Sequence, residues 1–128
     1  MELLLDTHAL LWFYSGDSAL SDKAQRLIRG SGTRCYLSVA SLWEITIKLG
    51  LGKLKLDSGI ADLFHFIERN HIEVLQIEFE HLIQLQQLPD IHRDPFDRLI
   101  ISQARAENLP VVSKDLFFSS YDVVTVWE

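Results

Sequence analysis

The most constraining feature of this sequence is a set of short apolar runs, each followed by a stretch with helical character. Leu3–Leu5 is one such run, and Val111–Val112 is another near the end of the chain. A strand without polar side chains is buried on both faces, which is typical of a parallel sheet covered by helices. The pattern therefore predicts an α/β sandwich around a mostly parallel sheet.

The rest of the sequence predicts a regular alternation of strands and helices. The predicted strands are 3–5, 34–39, 72–77, 110–113 and 123–127, and the predicted helices are 9–14, 21–28, 40–49, 57–70, 79–88 and 94–108. Glycine and proline end several of the helices, as at Gly16, Gly50 and Pro89. Ligands of such folds bind beyond the carboxyl ends of the strands, so the polar residues at that edge are of most interest.

Length, net charge and cysteine content limit the classes of protein to which this chain can belong. With 128 residues, we expect one domain over 1–128. A net charge of −6 excludes a generally basic surface that coats nucleic acid, so a polyanionic substrate needs a local cation such as a metal ion. The single cysteine, Cys35, excludes an internal disulfide. A reducing, cytoplasmic location without membrane contact is the expectation, because no apolar run approaches the roughly 20 residues of a membrane span.

Five acidic residues occupy positions where a parallel sheet brings functional groups together. Asp6 and Asp115 each follow a predicted strand, Asp94 and Asp97 lie in the first turn of a helix, and Glu44 interrupts an otherwise apolar helix. Carboxylates without basic partners repel one another, and burial makes the repulsion stronger. Hard divalent cations with oxygen ligands relieve it. We therefore expect a magnesium site, and a site with two such ions can support phosphodiester cleavage.

Each acid also has a purely structural interpretation. Asp6, Asp94 and Asp115 stand where a side chain can accept a hydrogen bond from the start of a helix. The sequence Asp-Pro-Phe-Asp at 94–97 is favourable for a helix start. Glu44 precedes Lys48 by four residues, the spacing of an exposed helical ion pair. Capping and metal ligation are compatible for one carboxylate, so both interpretations stay open.

Four sequence blocks carry a resemblance to a known family. The run LLLDTHALLW at 3–12 resembles the opening of PIN-domain proteins, specifically the VapC-like ribonuclease toxins of type II toxin–antitoxin modules. The blocks at 38–54, 92–100 and 111–115 are similar to the later blocks of that family and follow in the same order. They span nearly the whole chain, and Asp-Pro-Phe-Asp-Arg at 94–98 is the most specific of them.

The resemblance implies a three-layer α/β/α fold and an endoribonuclease that cleaves RNA phosphodiester bonds with Mg²⁺ or Mn²⁺. The family's acidic quartet, both catalytic and metal-binding, matches Asp6, Glu44, Asp97 and Asp115.

Four further residues are assigned supporting roles. Thr7 and Ser113 adjoin predicted ligands and are positioned to hydrogen-bond to them. Asp94 supports the site mainly as a helix cap. Arg98 lies near the acids in sequence, where it either steadies the scissile phosphate or forms an intramolecular salt bridge.

The resemblance also implies three partners: an RNA substrate, a cognate antitoxin and a second copy in a homodimer. An apolar antitoxin helix needs a groove, for which 10–14 and 45–54 are the expected walls. The aromatic residues, Trp43 among them, are expected in the core or at an interface.

Two alternative functions remain. One is a non-catalytic PIN-fold module that binds RNA or protein. The other is an aspartate-dependent phosphotransferase, which would need a second carboxylate two residues after Asp6, where His8 stands.

Overall fold

The computed structural model describes all 128 residues and contains one five-stranded sheet. The strands are β1 (Glu2–Leu5), β2 (Arg34–Ser38), β3 (Glu73–Leu75), β4 (Val111–Val112) and β5 (Thr125–Val126). They lie in the order β3-β2-β1-β4-β5, and every neighbouring pair is parallel. The sheet predicted as mostly parallel is thus wholly parallel.

Seven helices connect and cover the strands. They are α1 (Thr7–Ser15), α2 (Asp22–Arg29), α3 (Val39–Gly50), α4 (Ile60–Arg69), α5 (Phe79–Gln87), α6 (Pro95–Glu107) and α7 (Leu116–Ser119). None of them combines the length and the apolar character that crossing a bilayer requires.

Two hydrophobic cores lie on opposite faces of the sheet because side chains alternate along a strand. Leu3 and Leu5 of β1 belong to one core, which includes buried residues of α1, α2 and α4. Leu4 belongs to the other core, which includes Ile100 and Ile101 of α6. These two cores make the fold a three-layer α/β/α sandwich, as expected.

The start of α4 differs from the prediction. The sequence predicted a helix from Asp57, but the helix begins at Ile60. Gly59 precedes it with φ at +86°, a backbone conformation that residues other than glycine rarely adopt. The chain therefore makes a turn at Gly59, and this turn sets the boundary.

The carboxyl edge of the sheet is defined by the register of β1 and β4. Leu5 lies opposite Val112, and the amide of Asp6 donates to the carbonyl of Val112 at 3.1 Å. Asp6 and Ser113 consequently leave the sheet side by side, so the segments that follow β1 and β4 begin at the same place.

Candidate active site

Asp6 is a buried carboxylate at the carboxyl edge. It caps α1 through Oδ1, which accepts a hydrogen bond from the amide of Ala9 at 2.7 Å. Burial raises the pKa of Asp6, and the nearby charge of Asp115 acts in the same direction. The hydroxyl of Ser113, the Ala9 amide and the charge of His8 act against that rise in pKa. Asp6 is therefore an acid held in place by hydrogen bonds while burial disfavours its charge.

Asp97 lies in the first turn of α6, where the charges of the other four acids of the site act on it. Its pKa is raised to about 7, first by burial and then by the charges of Asp94, Asp115, Glu44 and Asp6, in that order. Electrostatic repulsion of this kind requires carboxyl groups that are close in space. The structure thus brings together five acids that are far apart in the sequence.

Three of these acids act as helix caps. In addition to Asp6, Asp94 caps α6, because its Oδ1 accepts from the amides of Phe96 at 2.9 Å and Asp97 at 3.0 Å. Asp115 caps the short helix α7 by accepting from the amide of Phe117 at 2.9 Å. The capping interpretation of these acids is confirmed.

Glu44 is buried on α3, with only 3% of its surface exposed. Its Oε2 lies 2.6 Å from Nζ of Lys48, and its Oε1 accepts from the hydroxyl of Thr7 at 2.8 Å. The hydrogen bond to Glu44 raises the pKa of Lys48, and the charges of Asp94 and Asp97 contribute to the rise. The ion pair predicted from the spacing is confirmed, but its carboxylate is in the interior rather than on an exposed helix face.

Thr7 and Ser113 both contact acids of the site, although Thr7 contacts Glu44 and not Asp6, its neighbour in the sequence. Thr7 holds Glu44, and its hydroxyl also lies 2.9 Å from that of Ser41. Ser113 contacts Asp6 as described, and its Oγ accepts from the amide of Asp115 at 3.0 Å. These hydroxyls orient carboxylates that would otherwise be free to rotate.

Arg98 contacts a loop instead of a carboxylate. Its guanidinium donates to the carbonyl of Pro89 at 2.8 Å, to the hydroxyl of Tyr121 at 3.1 Å and to the carbonyl of His92 at 3.3 Å. It forms no ion pair with Asp97 or Asp94, its nearest acids in sequence, so the predicted salt bridge is absent. Arg98 stabilises the loop that precedes α6.

Sequence reasoning missed the connection from Tyr121 through His92 to the site. The Nδ1 of His92 lies 2.7 Å from the hydroxyl of Tyr121, and its Nε2 lies 3.3 Å from Oδ2 of Asp97. The imidazole also stacks on Phe117 with ring centroids 4.7 Å apart. The position of His92 just before the acidic block was a signal for it, whereas nothing in the sequence pointed to the buried Tyr121.

Two recesses adjoin the carboxylates. A cavity of about 200 Å³ is lined by Asp6, Asp115 and Lys114, together with His8 and Trp12; the rings of these last two residues stack at 5.5 Å.

A groove of about 310 Å³ runs beside this cavity. Leu11, Ile45 and Leu54 supply its apolar walls, and Lys53 and Lys55 contribute charge. Parts of both predicted walls therefore line one groove, namely Leu11 and Trp12 of 10–14 together with Ile45 and Leu54 of 45–54, whereas Phe13 lines a different cavity.

Trp43 is not a core residue. It is 59% exposed, and its ring meets that of Phe96 edge to face at 5.2 Å. Ile47 on the same face of α3 is exposed as well, as is Leu51, which follows the helix directly. Trp43 was expected in the core or at an interface, and the prediction of a core position is wrong.

The donor set fits a hard divalent cation in composition. The charges of four other carboxylates act on Asp97, and two cations lie near this cluster: Lys48 pairs with Glu44, and Lys114 lines the cavity beside Asp6 and Asp115. No three acidic, histidine or cysteine side chains lie close enough to hold a metal ion in their present orientations. Asp6 and Asp115 face helix amides and Glu44 faces Lys48, so ligation requires side-chain rotation. The crowding of negative charge favours that rotation when a cation binds.

Three solved structures share this fold. VapBC2 from Rickettsia felis, bound to a DNA fragment from its promoter, has a TM-score of 0.72 at 18% identity and matches 100% of both chains. DNA-bound VapBC from Salmonella typhimurium has a TM-score of 0.72 at 19% identity, covering 98% of this chain and 97% of that one. VapBC-1 from nontypeable Haemophilus influenzae has a TM-score of 0.70 at 17% identity, with the same coverage. At these identities the likeness establishes the fold alone.

Sequence comparison identifies the family directly. No curated protein matches the chain significantly. The family model described as the PIN domain matches residues 3–124, a range that includes all five acids, all of β2, β3 and β4, and β1 except Glu2, whereas β5 lies directly after it. The chain belongs to the PIN-domain family.

Proposed function

We propose that this chain is a Mg²⁺- or Mn²⁺-dependent endoribonuclease and the toxic component of a type II toxin–antitoxin module that acts in the cytoplasm. The observation that carries the proposal is the meeting of five acidic side chains at the carboxyl edge of a PIN-domain sheet, with Asp6 and Glu44 buried, and their proximity together with burial raises the pKa of Asp97 to about 7. Clustered charge of this kind is costly for folding, and it is common where a site binds a ligand of opposite charge.

Asp6 and Asp97 are the proposed principal ligands, with Glu44 and Asp115 completing the set. When bound at such a site, a divalent ion lowers the pKa of a coordinated water and offsets the charge of the phosphate. Ser113 fixes the Asp6 carboxylate and Thr7 fixes that of Glu44. These contacts keep both carboxylates at the carboxyl edge of the sheet, where a side-chain rotation would bring them to the ion.

Residues around the ligands are proposed to handle the substrate. Lys114 lines the cavity over Asp6 and Asp115, where its charge attracts a phosphate group despite the overall negative charge of the chain. His92 lies at hydrogen-bond distance from Asp97, with Nε2 3.3 Å from Oδ2, and so holds that carboxyl group in one orientation.

A cognate antitoxin is the proposed partner of the groove beside the site. The groove combines apolar walls, including Leu11 and Ile45, with Lys53 and Lys55, which suits an amphipathic helix with acidic residues on its rim. The three similar structures are described as VapBC complexes. An arginine or lysine of the antitoxin entering the carboxylate cluster would replace the metal charge.

A homodimer is also part of the proposal. Trp43 and Ile47 on α3, and Leu51 directly after it, recur at every fourth position and are all exposed. An exposed apolar stripe of this kind is characteristic of an interface.

The direct test is cleavage of a labelled RNA by the purified chain in Mg²⁺ and in EDTA. We expect cleavage in Mg²⁺ alone and a loss of at least about 100-fold in Asp6→Asn and Asp97→Asn, as for loss of a group that stabilises the transition state. The matched control is Asp62→Asn, because Asp62 is exposed and occupies the same third helical position in α4 that Asp97 occupies in α6. Equal cleavage in all samples would contradict the proposal.

A non-catalytic binding module is the second candidate, and the absence of a preformed set of three metal-binding side chains favours it. Thermal unfolding separates the two functions, because an ion that binds only the native state raises the melting temperature. A nuclease is expected to show this rise at millimolar Mg²⁺ or Mn²⁺. An unchanged melting temperature together with intact RNA binding would favour the module.

A further inference from the structure

A second cavity, of about 530 Å³, lies at the edge of the sheet opposite the carboxylates. Thr33 and His71, which precede β2 and β3, line it together with the final residues of α2 and α4. It is larger than the 200 Å³ cavity over Asp6 and Asp115, and its size is typical of sites for small molecules.

The cavity is lined by cations that have no anionic partner. Arg29 ends α2, Arg69 ends α4, and both line the cavity. Neither takes part in any of the four ion pairs of the chain, and no acidic residue lines the cavity. The chain has a net charge of −6, yet two guanidinium groups without an anionic partner line this one cavity. They favour an anion, and the planar fork of a guanidinium is suited to two parallel hydrogen bonds with phosphate.

The remaining wall is apolar and aromatic. Phe13 and Phe66 meet edge to face with centroids 5.4 Å apart, and Ile28 and Ile72 lie beside them. The guanidinium carbon of Arg29 lies 5.8 Å from the centroid of the Phe13 ring. A ligand that filled this space would therefore place an organic group against the rings and its charge against the arginines.

Arginine at the end of a helix also has a simpler role, since it offsets the partial negative charge of the last carbonyls. That role accounts for each arginine separately, but it does not explain why both line the same cavity beside two phenylalanine rings. His71, which lines the same cavity, has φ at +54°, a conformation that costs about 1 kcal/mol relative to glycine. This conformation belongs to the end of α4, where the amide of Ile72 donates to the carbonyl of Ile67 at 3.1 Å, and it places a further hydrogen-bonding side chain among the residues that line the cavity.

We propose that this cavity binds a phosphate monoester whose organic group packs against the phenylalanines, with a nucleoside monophosphate as the simplest example. The site is separate from the carboxylate cluster and does not depend on the proposed nuclease activity.

Isothermal titration calorimetry tests the proposal on the full chain in EDTA, where no divalent ion can capture phosphate at the carboxylates. The ligands are AMP, adenosine and inorganic phosphate. We expect AMP to bind most tightly, because only AMP engages both the arginines and the apolar wall. Arg29→Gln and Arg69→Gln should each weaken AMP binding about tenfold or more, the effect of losing a charge-assisted hydrogen bond.

The matched control is Arg26→Gln. Arg26 is exposed in the same last turn of α2 as Arg29 but does not line the cavity, so the variant should bind AMP like the original chain. Circular dichroism checks that each variant is folded. The proposal is overturned if AMP binds no more tightly than inorganic phosphate, or if folded Arg29→Gln and Arg69→Gln bind AMP as Arg26→Gln does. The latter result would assign both arginines to the helix ends alone.

Discussion

Replacing Asp97 by asparagine should stabilise the metal-free protein while damaging its proposed function. The folded state raises the pKa of Asp97 from 3.8 to about 7, so the folded chain holds a proton on this group that the unfolded chain releases. The contribution of this group to the free energy of unfolding is therefore highest at low pH, and it falls as the pH rises from about 4 to about 7. Asparagine resembles the protonated acid in shape and carries no charge. The variant Asp97→Asn should therefore not lose stability at this position as the pH rises.

The size of the effect follows from the same pKa. At about 1.4 kcal/mol for each tenfold change in acidity, the rise from 3.8 to about 7 sets a ceiling of about 4 kcal/mol. The side chain is 21% exposed, and water screens part of the repulsion, so we expect about 2 kcal/mol at pH 8. For a chain of 128 residues, this corresponds to a rise of about 6 °C in the melting temperature.

Thermal unfolding by circular dichroism in EDTA, at pH 8 and at pH 4, measures this effect. The advantage of Asp97→Asn should be present at pH 8 and nearly absent at pH 4, where the original carboxyl group is protonated in the folded state. Asp62→Asn should show neither the rise nor its pH dependence, because Asp62 is exposed at the equivalent position of α4. A melting temperature of Asp97→Asn at or below the original value at pH 8, or an equal advantage at both pH values, would refute the electrostatic reasoning.

Three further predictions concern the supporting structure. Tyr121→Phe should lower the free energy of unfolding by about 1–3 kcal/mol in urea titration, because the lost hydroxyl leaves the half-buried amide of His92 without its acceptor and removes one acceptor from Arg98; an unchanged value would show that water replaces it. Lys48→Met should destabilise the fold by about 1–3 kcal/mol at pH 7, since the buried Glu44 carboxylate loses its counter-charge, and an equal loss when Lys48→Met is made in a Glu44→Gln background would exclude this cause. Gly59→Ala should cost about 1 kcal/mol because φ is +86° there, whereas Gly50→Ala at the end of α3, where φ is not positive, should be neutral or stabilising. Equal effects of the two glycine variants in thermal unfolding would contradict the backbone argument.

Local patterns allowed most of the fold to be predicted from the sequence. The apolar run 3–5 is buried on both faces of a parallel sheet because its side chains fill two cores. The caps at Asp94 and Asp115 were predictable because capping depends on residues two or three positions away. Gly59 was the exception, because the sequence gives no sign of which residue in that loop adopts positive φ.

The site was harder to predict because its contacts join distant segments. The carboxylates could be expected at one edge, since strand direction fixes where the ends lie. The partners of Arg98, however, are backbone carbonyls and a hydroxyl 23 positions away, and side-chain type alone cannot distinguish these from a phosphate. The burial of Glu44 beside Thr7 likewise depends on how α1 packs against α3.

The central claim is that Asp6 and Asp97 hold a divalent ion together. Anomalous X-ray diffraction from crystals grown with Mn²⁺ tests it most directly, because the signal locates the ion without reference to activity. We predict a peak within ligand distance, about 2–2.5 Å, of both carboxylates, accompanied by rotation of the Asp6 side chain. A fully occupied ion elsewhere in the chain, with Asp6 and Asp97 free of metal, would contradict it.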